Sequence, residues 1–554
     1  MKRLFSVLLL TLLVSACLFS QPLPEKAEDG SFVLTTGTYQ LKKAEQSFLE
    51  VDCFELAGVK YVDDPVVPEL QYLNIWIPAG YVTEDLAIDW DNIINGYTAK
   101  TAPIVYRNNF AGWRSSDPDN DGENSVKLNE LMEAGYIYVS CGGRSRDAVK
   151  DGINYGKAPT PVVDLKSGVR FLRANQGILP GDTDRIISIG GSGAGQMSAA
   201  LGVTGNMEEY YPYLYKNGAA GIELVDGNYV STINDNIFAA QCYFPITDLD
   251  NADLAYAWQR FNTPEEGVFT VFPVRTETVF TPFQLELQND EAEAYAGYLN
   301  SLGLGLTLDG TRSGSYYDAI LNNLSSALNA YLAELSAEEA DVYVSLLLAT
   351  NTPELIWLVK EADGYRITDL DGFIANNGSM GLRENIGTVF ARNKDIPGFD
   401  TLDLSAENDA FGTEDVFAVH YSAAVGRVLK DNYDKYLGLM NEEEKEQVDL
   451  WIEQTLESSL AGFLAEQTYL VNPMEILLAR AAGNEEADPA EHWRIRSGTS
   501  DEHTAFTIGY NLSLALAANG IDTDYSLVWT MTHNERQEGT STGTFLAWAE
   551  QLFK

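Results

Sequence analysis

The sequence predicts an α/β layered domain interrupted by a long helical insertion, and three observations carry that prediction. Strand-like runs alternate with helical periods up to about residue 250. Several of those runs are apolar on both faces, as strands buried inside a parallel sheet must be. After a largely helical, acidic stretch the same alternation resumes near residue 493, so one domain is begun, interrupted and then completed.

The chain has 554 residues, 45% of them hydrophobic, enough for a large buried core. Its first residues read as an export signal: Lys2 and Arg3, an apolar run from Leu4 to Leu13, then Val14-Ser15-Ala16-Cys17. The ending resembles a bacterial lipobox, which makes Cys17 the lipid-modified first residue of an extracytoplasmic, lipid-anchored protein. Residues 1–17 are then the lipoprotein signal peptide and 18–30 a tether. No later segment is long and apolar enough to span a bilayer, so contact with membrane is expected only through the anchor.

Strands are expected at "LQYLNIWIPAGY" (70–81), "APIVYRNN" (102–109), "GYIYVSCG" (135–142), "RIISIGG" (185–191) and "IFAAQCYFPIT" (237–247). Between the third and fourth, Val162, Leu165, Val169 and Leu172 fall on one helical face. From 282 to 468 the pattern is helical: Ile320, Leu324, Leu328 and Tyr331 form a stripe, and Asn441 with Glu444 forms a capping box before Val448, Ile452, Leu456 and Leu460. "WRIRSGTSD" (493–501) and "YSLVWTMTH" (525–533) are strands flanking the helix 504–520. The core is therefore 31–250 with 485–554, and the insertion is 251–484.

The net charge of −45, from 81 acidic and 36 basic residues, disfavours nucleic acid as a partner. Cys53, Cys141 and Cys242 are too few for a disulfide framework, and the absence of any C-x-x-C pair argues against a cysteine-based zinc site.

The chemistry begins at "ISIGGSGAGQMSAALG" (188–203). Gly191-x-Gly193 is followed by Gln196 where a dinucleotide fingerprint needs glycine, and no Gly-Lys-Ser/Thr follows as a phosphate loop requires. A strand–Ser–helix elbow fits the pattern better, with an ordinary Gly-rich strand-to-helix turn as the alternative that the rest of the chain must decide against. The elbow forces its serine into unfavourable φ/ψ, so the residues two before and two after must be very small, here Gly190 and Ala194. A nucleophilic Ser192 needs a histidine base and a carboxylate to orient it. Of the four histidines, His533 lies just past the last strand, and Asp501 lies just past the preceding one. The order Ser192…Asp501…His533 is that of the α/β-hydrolase elbow: a mostly parallel central sheet flanked by helices, here with a mainly helical lid. Gly193 N–H is one expected oxyanion donor, and the second is expected from Ala111 or Gly112 in "NNFAGWRSS" (108–116). His503 is expected to line the pocket, and no role is assigned to His420 or His492. Tyr210, Tyr211, Tyr213, Tyr316 and Tyr317 are candidates for the wall of an aromatic acyl pocket, against plain packing in a core of this size.

In "DPDNDGENS" (117–125), Asp117, Asp119 and Asp121 with Gly122 match the opening of a calcium loop, but its twelfth position is Leu128 rather than a bidentate Glu. A structural calcium here competes with a plain solvated acidic loop.

"SIGGSGAGQMSAAL", "GKAPTPVVDLKSGVRFLRANQG", "CYFPITDLDNADLAYAW" and "HWRIRSGTSDEHTAF…YSLVWTMTH" together resemble the bacterial subtype B tannase-like branch of α/β-hydrolases and its feruloyl-esterase relatives. The resemblance covers roughly residues 68–550 and is weakest in the lid. It implies hydrolysis of phenolic esters, a small-molecule ester substrate, a Ser–Asp–His triad and no required cofactor. Tannases of this branch carry an aspartate, in contact with a galloyl hydroxyl, two residues after the catalytic Asp. His503 stands there in this chain, so esterase activity carries over while galloyl specificity does not follow. A generic short-chain carboxylesterase or a serine peptidase would keep the same triad, and a ligand-capturing lipoprotein on a hydrolase scaffold would not need it.

Overall fold

A nine-stranded sheet forms the centre of the protein. The computed structural model describes residues 25–26, 32–33, 41–45, 49–118, 128–259, 281–377, 407–501, 503–533 and 544–553. We number the strands of this sheet β1 (Lys42–Lys43), β2 (Cys53–Lys60), β3 (Tyr72–Pro78), β4 (Pro103–Asn108), β5 (Ile137–Cys141), β6 (Asp182–Gly191), β7 (Ala239–Tyr243), β8 (His492–Gly498) and β9 (Asp522–Val528). They lie in the order β9-β8-β7-β6-β4-β5-β3-β2-β1. From β5 to β9 every pairing is parallel, whereas β3 pairs antiparallel with β5, and β2 and β1 continue antiparallel to the edge. This is the mostly parallel sheet of an α/β-hydrolase. The antiparallel strands β1 and β2 are not signalled by the sequence.

Alternation along the strands feeds two apolar layers. In β6, Ile187 and Ile189 pack on one face with Val105, Phe545 and Trp548, while Ile186 turns to the other with Ile104 and Tyr106. The second face is the larger and is continuous with the insertion, whose Ile320, Leu324 and Leu328 join it. The helix Thr160–Ala174 lies against that face with Val162, Leu165, Val169 and Leu172 buried, as its stripe requires. Its polar side is buried too. Arg144 pairs with Asp164 at 2.7 Å, and Asp235 takes both Lys166 (2.7 Å) and Arg170 (2.9 Å). Burial at both ends of each pair is tolerable only because the charges are matched and hydrogen-bonded.

Between β7 and β8 the described residues form a mainly helical body that includes a hairpin, Leu358–Glu361 with Gly364–Ile367. The capping box is present: Asn441 Oδ1 accepts from the Glu444 N–H at 2.9 Å, and Glu444 accepts from the Asn441 N–H at 2.8 Å. The stripe it opens does not continue in one helix. Helix Glu442–Ile452 passes into a wide π turn at Glu453–Glu457, extended Ser458 breaks it, and a new helix runs Leu460–Leu470. Cys53, Cys141 and Cys242 are free and buried. Among the described residues no helix is long and apolar enough to cross a membrane.

Candidate active site

Strand register gathers the site. Gly191 at the end of β6 is level with Tyr243 of β7, Tyr243 with Arg496 of β8, and Gly498 of β8 with Val528 of β9. The residues after these strands, Ser192, Phe244, Asp501 and His533, therefore leave the sheet at its carboxyl edge, where open α/β sheets place their sites.

Ser192 sits at φ 60°, ψ −127°, between β6 and the helix Gly193–Val203. That conformation is otherwise nearly restricted to glycine and costs about 1–3 kcal/mol. Its surroundings impose it. The Ser192 N–H donates to Tyr243 O at 3.1 Å, and Ser192 O accepts from the Gln196 N–H at 3.0 Å. A Cβ on Gly190 would stand 2.3 Å from Ala194 O, so position 190 admits no side chain. With that space free, the methyl of Ala194 is accommodated, and Ala194 is buried.

Asp501 and His533 come together. His533 Nδ1 lies 3.0 and 3.1 Å from the two carboxylate oxygens of Asp501. Asp501 Oδ1 also accepts the backbone N–H groups of His503 (2.8 Å) and Thr504 (3.0 Å). Burial pushes the Asp501 carboxyl up, but the charge and hydrogen bond of His533, with the charge and N–H of His503, outweigh it and hold the carboxyl below its ordinary value. The run after β9 folds back over β8: the Thr530 N–H donates to Thr499 Oγ1 at 3.0 Å and the Ser500 N–H to Met531 O at 3.1 Å. His533 then packs against Phe244, ring centroids 4.4 Å apart. Phe244 directly follows Tyr243, which accepts the Ser192 N–H, so two consecutive residues link elbow and imidazole.

The turn after β4 abuts the elbow. Ala111–Trp113 form one 3₁₀ turn, with Gly112 at φ 61° and Trp113 at φ 52°. A Cβ on Gly193 would stand 2.8 Å from Phe110 O and 3.0 Å from Trp113 N. The Trp113 N–H is spent on Phe110 O, whereas the N–H groups of Ala111 and Gly112, first-turn donors, have no partner among the described residues. Trp113 Nε1 donates to Gln196 in the elbow helix, tying turn and helix together.

His503 lies beside His533, ring centroids 4.5 Å apart. His420 makes its contacts within the insertion: it stacks on Trp451 at 4.1 Å, and burial brings its pKa down to about 4. His492, on β8, packs against Phe238. Three of the five tyrosine candidates are packed into the core, whereas Tyr211 and Tyr213 are half-buried. Tyr210 and Tyr316 are fully buried, Tyr210 donating to Leu470 O and Tyr316 to Asn511 Oδ1 at 2.7 Å, while Tyr317 accepts the Leu370 N–H. They are packing residues, because apolar rings with a satisfied hydroxyl serve a core of this size well. Asp119, Asp121 and Cys17 lie outside the described residues; Asp117 accepts from the Tyr72 hydroxyl at 3.4 Å. Among the described residues no three His, Cys, Asp or Glu side chains are grouped to hold a metal. The sequence reading missed Phe244 and Trp113, both at positive φ, because neither residue type signals that conformation.

The BD-FAE family model, an α/β-hydrolase family, matches residues 94–269. Comparison with curated proteins finds no match. Among solved structures, the tannin acyl hydrolase from Lactobacillus plantarum in its native form is 26% identical with a TM-score of 0.68, covering 93% of this chain and 97% of that one. A tannin acyl hydrolase in complex with ethyl gallate gives 26% identity and a TM-score of 0.70 over the same shares. A Fusobacterium nucleatum tannase, at 24% identity and a TM-score of 0.70 over 94% and 99%, bears on the fold alone. Elbow, sheet and chain-long correspondence agree: the chain has an α/β-hydrolase fold and is similar to bacterial tannases and to the BD-FAE family.

Proposed function

We propose that the protein is a lipid-anchored, extracytoplasmic serine esterase that cleaves phenolic or similar small carboxylic esters through Ser192, His533 and Asp501. The observation that carries this reading is a serine held in a strained elbow at the same sheet edge as a histidine paired with a buried carboxylate. With Nδ1–H donated to Asp501, His533 Nε2 is left free as an acceptor. It takes the Ser192 proton while Oγ attacks the ester carbonyl carbon. The carbonyl π electrons move to oxygen, and that oxyanion faces Gly193 N–H and the Ala111 or Gly112 N–H. Collapse expels the alcohol, which takes the proton from His533. Water, activated by the same imidazole, then hydrolyses the acyl-Ser192 ester and releases the acid. The ionised Asp501 fixes the imidazole tautomer and stabilises the imidazolium.

The aromatic acyl class is supported by relatives of known structure, one in complex with ethyl gallate and one with 3,4-dihydroxybenzoate. His503, beside the imidazole, is assigned to contact the acyl ring, where its chemistry favours a different set of ring substituents from those an aspartate would bind. Anchoring through Cys17 and export rest on the N-terminal sequence pattern.

The test is hydrolysis of methyl gallate, methyl ferulate, p-nitrophenyl acetate and p-nitrophenyl butyrate by protein lacking residues 1–17, with Ser192→Ala as the blank. Ser192-dependent preference for a phenolic ester supports the assignment. Turnover of p-nitrophenyl esters only removes the phenolic specificity, and no Ser192-dependent turnover of any ester removes the esterase function.

A further inference from the structure

The turn proposed to supply the second oxyanion donor is strained, and its hold comes partly from the insertion. Gly112 (φ 61°, ψ 27°) and Trp113 (φ 52°) are consecutive left-handed residues, a conformation that costs a non-glycine residue about 1 kcal/mol or more and persists only where neighbours impose it. Both carbonyls are held from the segment after β5. Ser145 Oγ donates to Trp113 O at 2.6 Å, and Arg146 Nε donates to Gly112 O at 2.9 Å. The same guanidinium gives Nη1 to Asp409 Oδ2 at 2.8 Å, across 263 residues of sequence.

Asp409 belongs to the insertion, yet its backbone is docked on the core. Lys157 Nζ donates to Asp409 O at 2.5 Å and also to Phe417 O; the Ala158 N–H donates to Ala410 O at 2.9 Å, and the Asn154 N–H to Glu414 O at 3.0 Å. The Arg146 side chain is only 15% exposed, so its position is set at both ends rather than averaged by solvent.

We propose that Arg146, oriented by Asp409, is a positioning residue for the oxyanion turn, and that the insertion thereby holds part of the catalytic geometry in place instead of merely covering it. Arg146 touches no reacting atom. It fixes the Gly112–Trp113 peptide by its carbonyl, and with it the left-handed backbone of Gly112 on which the placement of the preceding Ala111 and Gly112 N–H groups depends. Relaxation of the turn as a whole would misplace a donor whose worth depends on position, because oxyanion donors act in the transition state and much less on bound substrate. The proposal rests on the serine-esterase reading.

The experiment compares kcat and KM of the wild type, Arg146→Met, Arg146→Lys, Asp409→Ala and the double variant Arg146→Met/Asp409→Ala on the most rapidly cleaved ester of the panel, with thermal unfolding of each. The expected result is a kcat fall of roughly 10–100-fold in Arg146→Met with KM within about twofold, since a 1 Å misplacement can cost about that much. Asp409→Ala should lose less, the double variant should be no worse than Arg146→Met, and Arg146→Lys should recover part of kcat. Unchanged kcat in Arg146→Met, or a loss carried by KM, overturns the proposal while leaving the esterase reading intact. If Arg146→Met does not fold, Asp409→Ala decides, and unchanged kcat there overturns it equally. Turnover that survives Ser192→Ala overturns both.

Discussion

His533 Nδ1 reaches both carboxylate oxygens of Asp501, at 3.0 and 3.1 Å, although the two residues are 32 apart in sequence and follow neighbouring strands. The same carboxylate accepts two backbone N–H groups, so its orientation is set before the imidazole meets it. A base so oriented should be indispensable. Ser192→Ala and His533→Ala are expected to abolish ester hydrolysis with the unfolding midpoint retained. Asp501→Asn should lower kcat by about 10³–10⁴-fold, by analogy with the triad aspartate of serine proteases. His503→Ala should instead change KM or the preference among ring substituents. Complete loss in His503→Ala with activity in His533→Ala would reverse the assignment of the base.

At the elbow, stability rather than chemistry reports the geometry. The Cβ of Gly190→Ala would lie 2.3 Å from Ala194 O, a backbone atom that cannot swing aside. The expected cost is about 1–3 kcal/mol or more, with loss of activity, read by denaturant unfolding. Ala194→Gly, which restores the usual motif, should keep activity, since the methyl makes no contact the nucleophile needs. A Gly190→Ala protein as stable and active as the wild type would contradict the packing described.

The loop leading to His533 is braced by the insertion as well. Trp529 Nε1 donates to Tyr343 at 2.7 Å, and the Trp529 ring lies 5.7 Å from that of Phe373. Tyr343→Phe leaves that buried N–H without its acceptor. A loss of about 1–3 kcal/mol is expected, measured as a lowered denaturation midpoint. Any accompanying fall in activity should appear in kcat.

A buried acidic cluster where core meets insertion should shape the pH dependence of stability. Burial pushes the Glu475 carboxyl up to about 7, aided by the charges of Asp248 and Asp250, and burial brings Asp250 up to about 6. Asn472 donates to both Asp248 and Glu475, and Arg427 lies 3.9 Å from Asp250. Folded pKa values above the unfolded ones mean that the folded state binds more protons between about pH 4 and 7. This contribution is therefore most favourable below that window and declines as pH rises through it, by at most about 1.4 kcal/mol per carboxyl for each pH unit crossed. Unfolding midpoints measured from pH 4.5 to 8 should fall toward the upper end. Glu475→Gln should flatten that decline; an unchanged slope would remove Glu475 as its source.

Much of this architecture was legible because its signals are local. Strand-like runs, several apolar on both faces, mark β3 to β9, the small residues around Ser192 mark the elbow, and Asn441 with Glu444 marks a helix start that the hydrogen bonds confirm. Asp501 and His533 stood out through scarcity of histidine and the positions of strand ends. The antiparallel edge strands β1 and β2 were not legible, nor was the break after Ile452, because neither interrupts the local periodicity. Nor could sequence show that the polar face of Thr160–Ala174 is buried, since Asp164, Lys166 and Arg170 find their partners on Arg144 and Asp235, outside the helix. Residue types and their local spacing were enough to say which side chains can do chemistry and where strands and helices begin. That Phe244 lies against His533, and that Asp409 reaches Arg146, came from the assembled fold. Contacts across hundreds of residues depend on how the sheet closes and the insertion docks, and no local pattern of side chains encodes that closure.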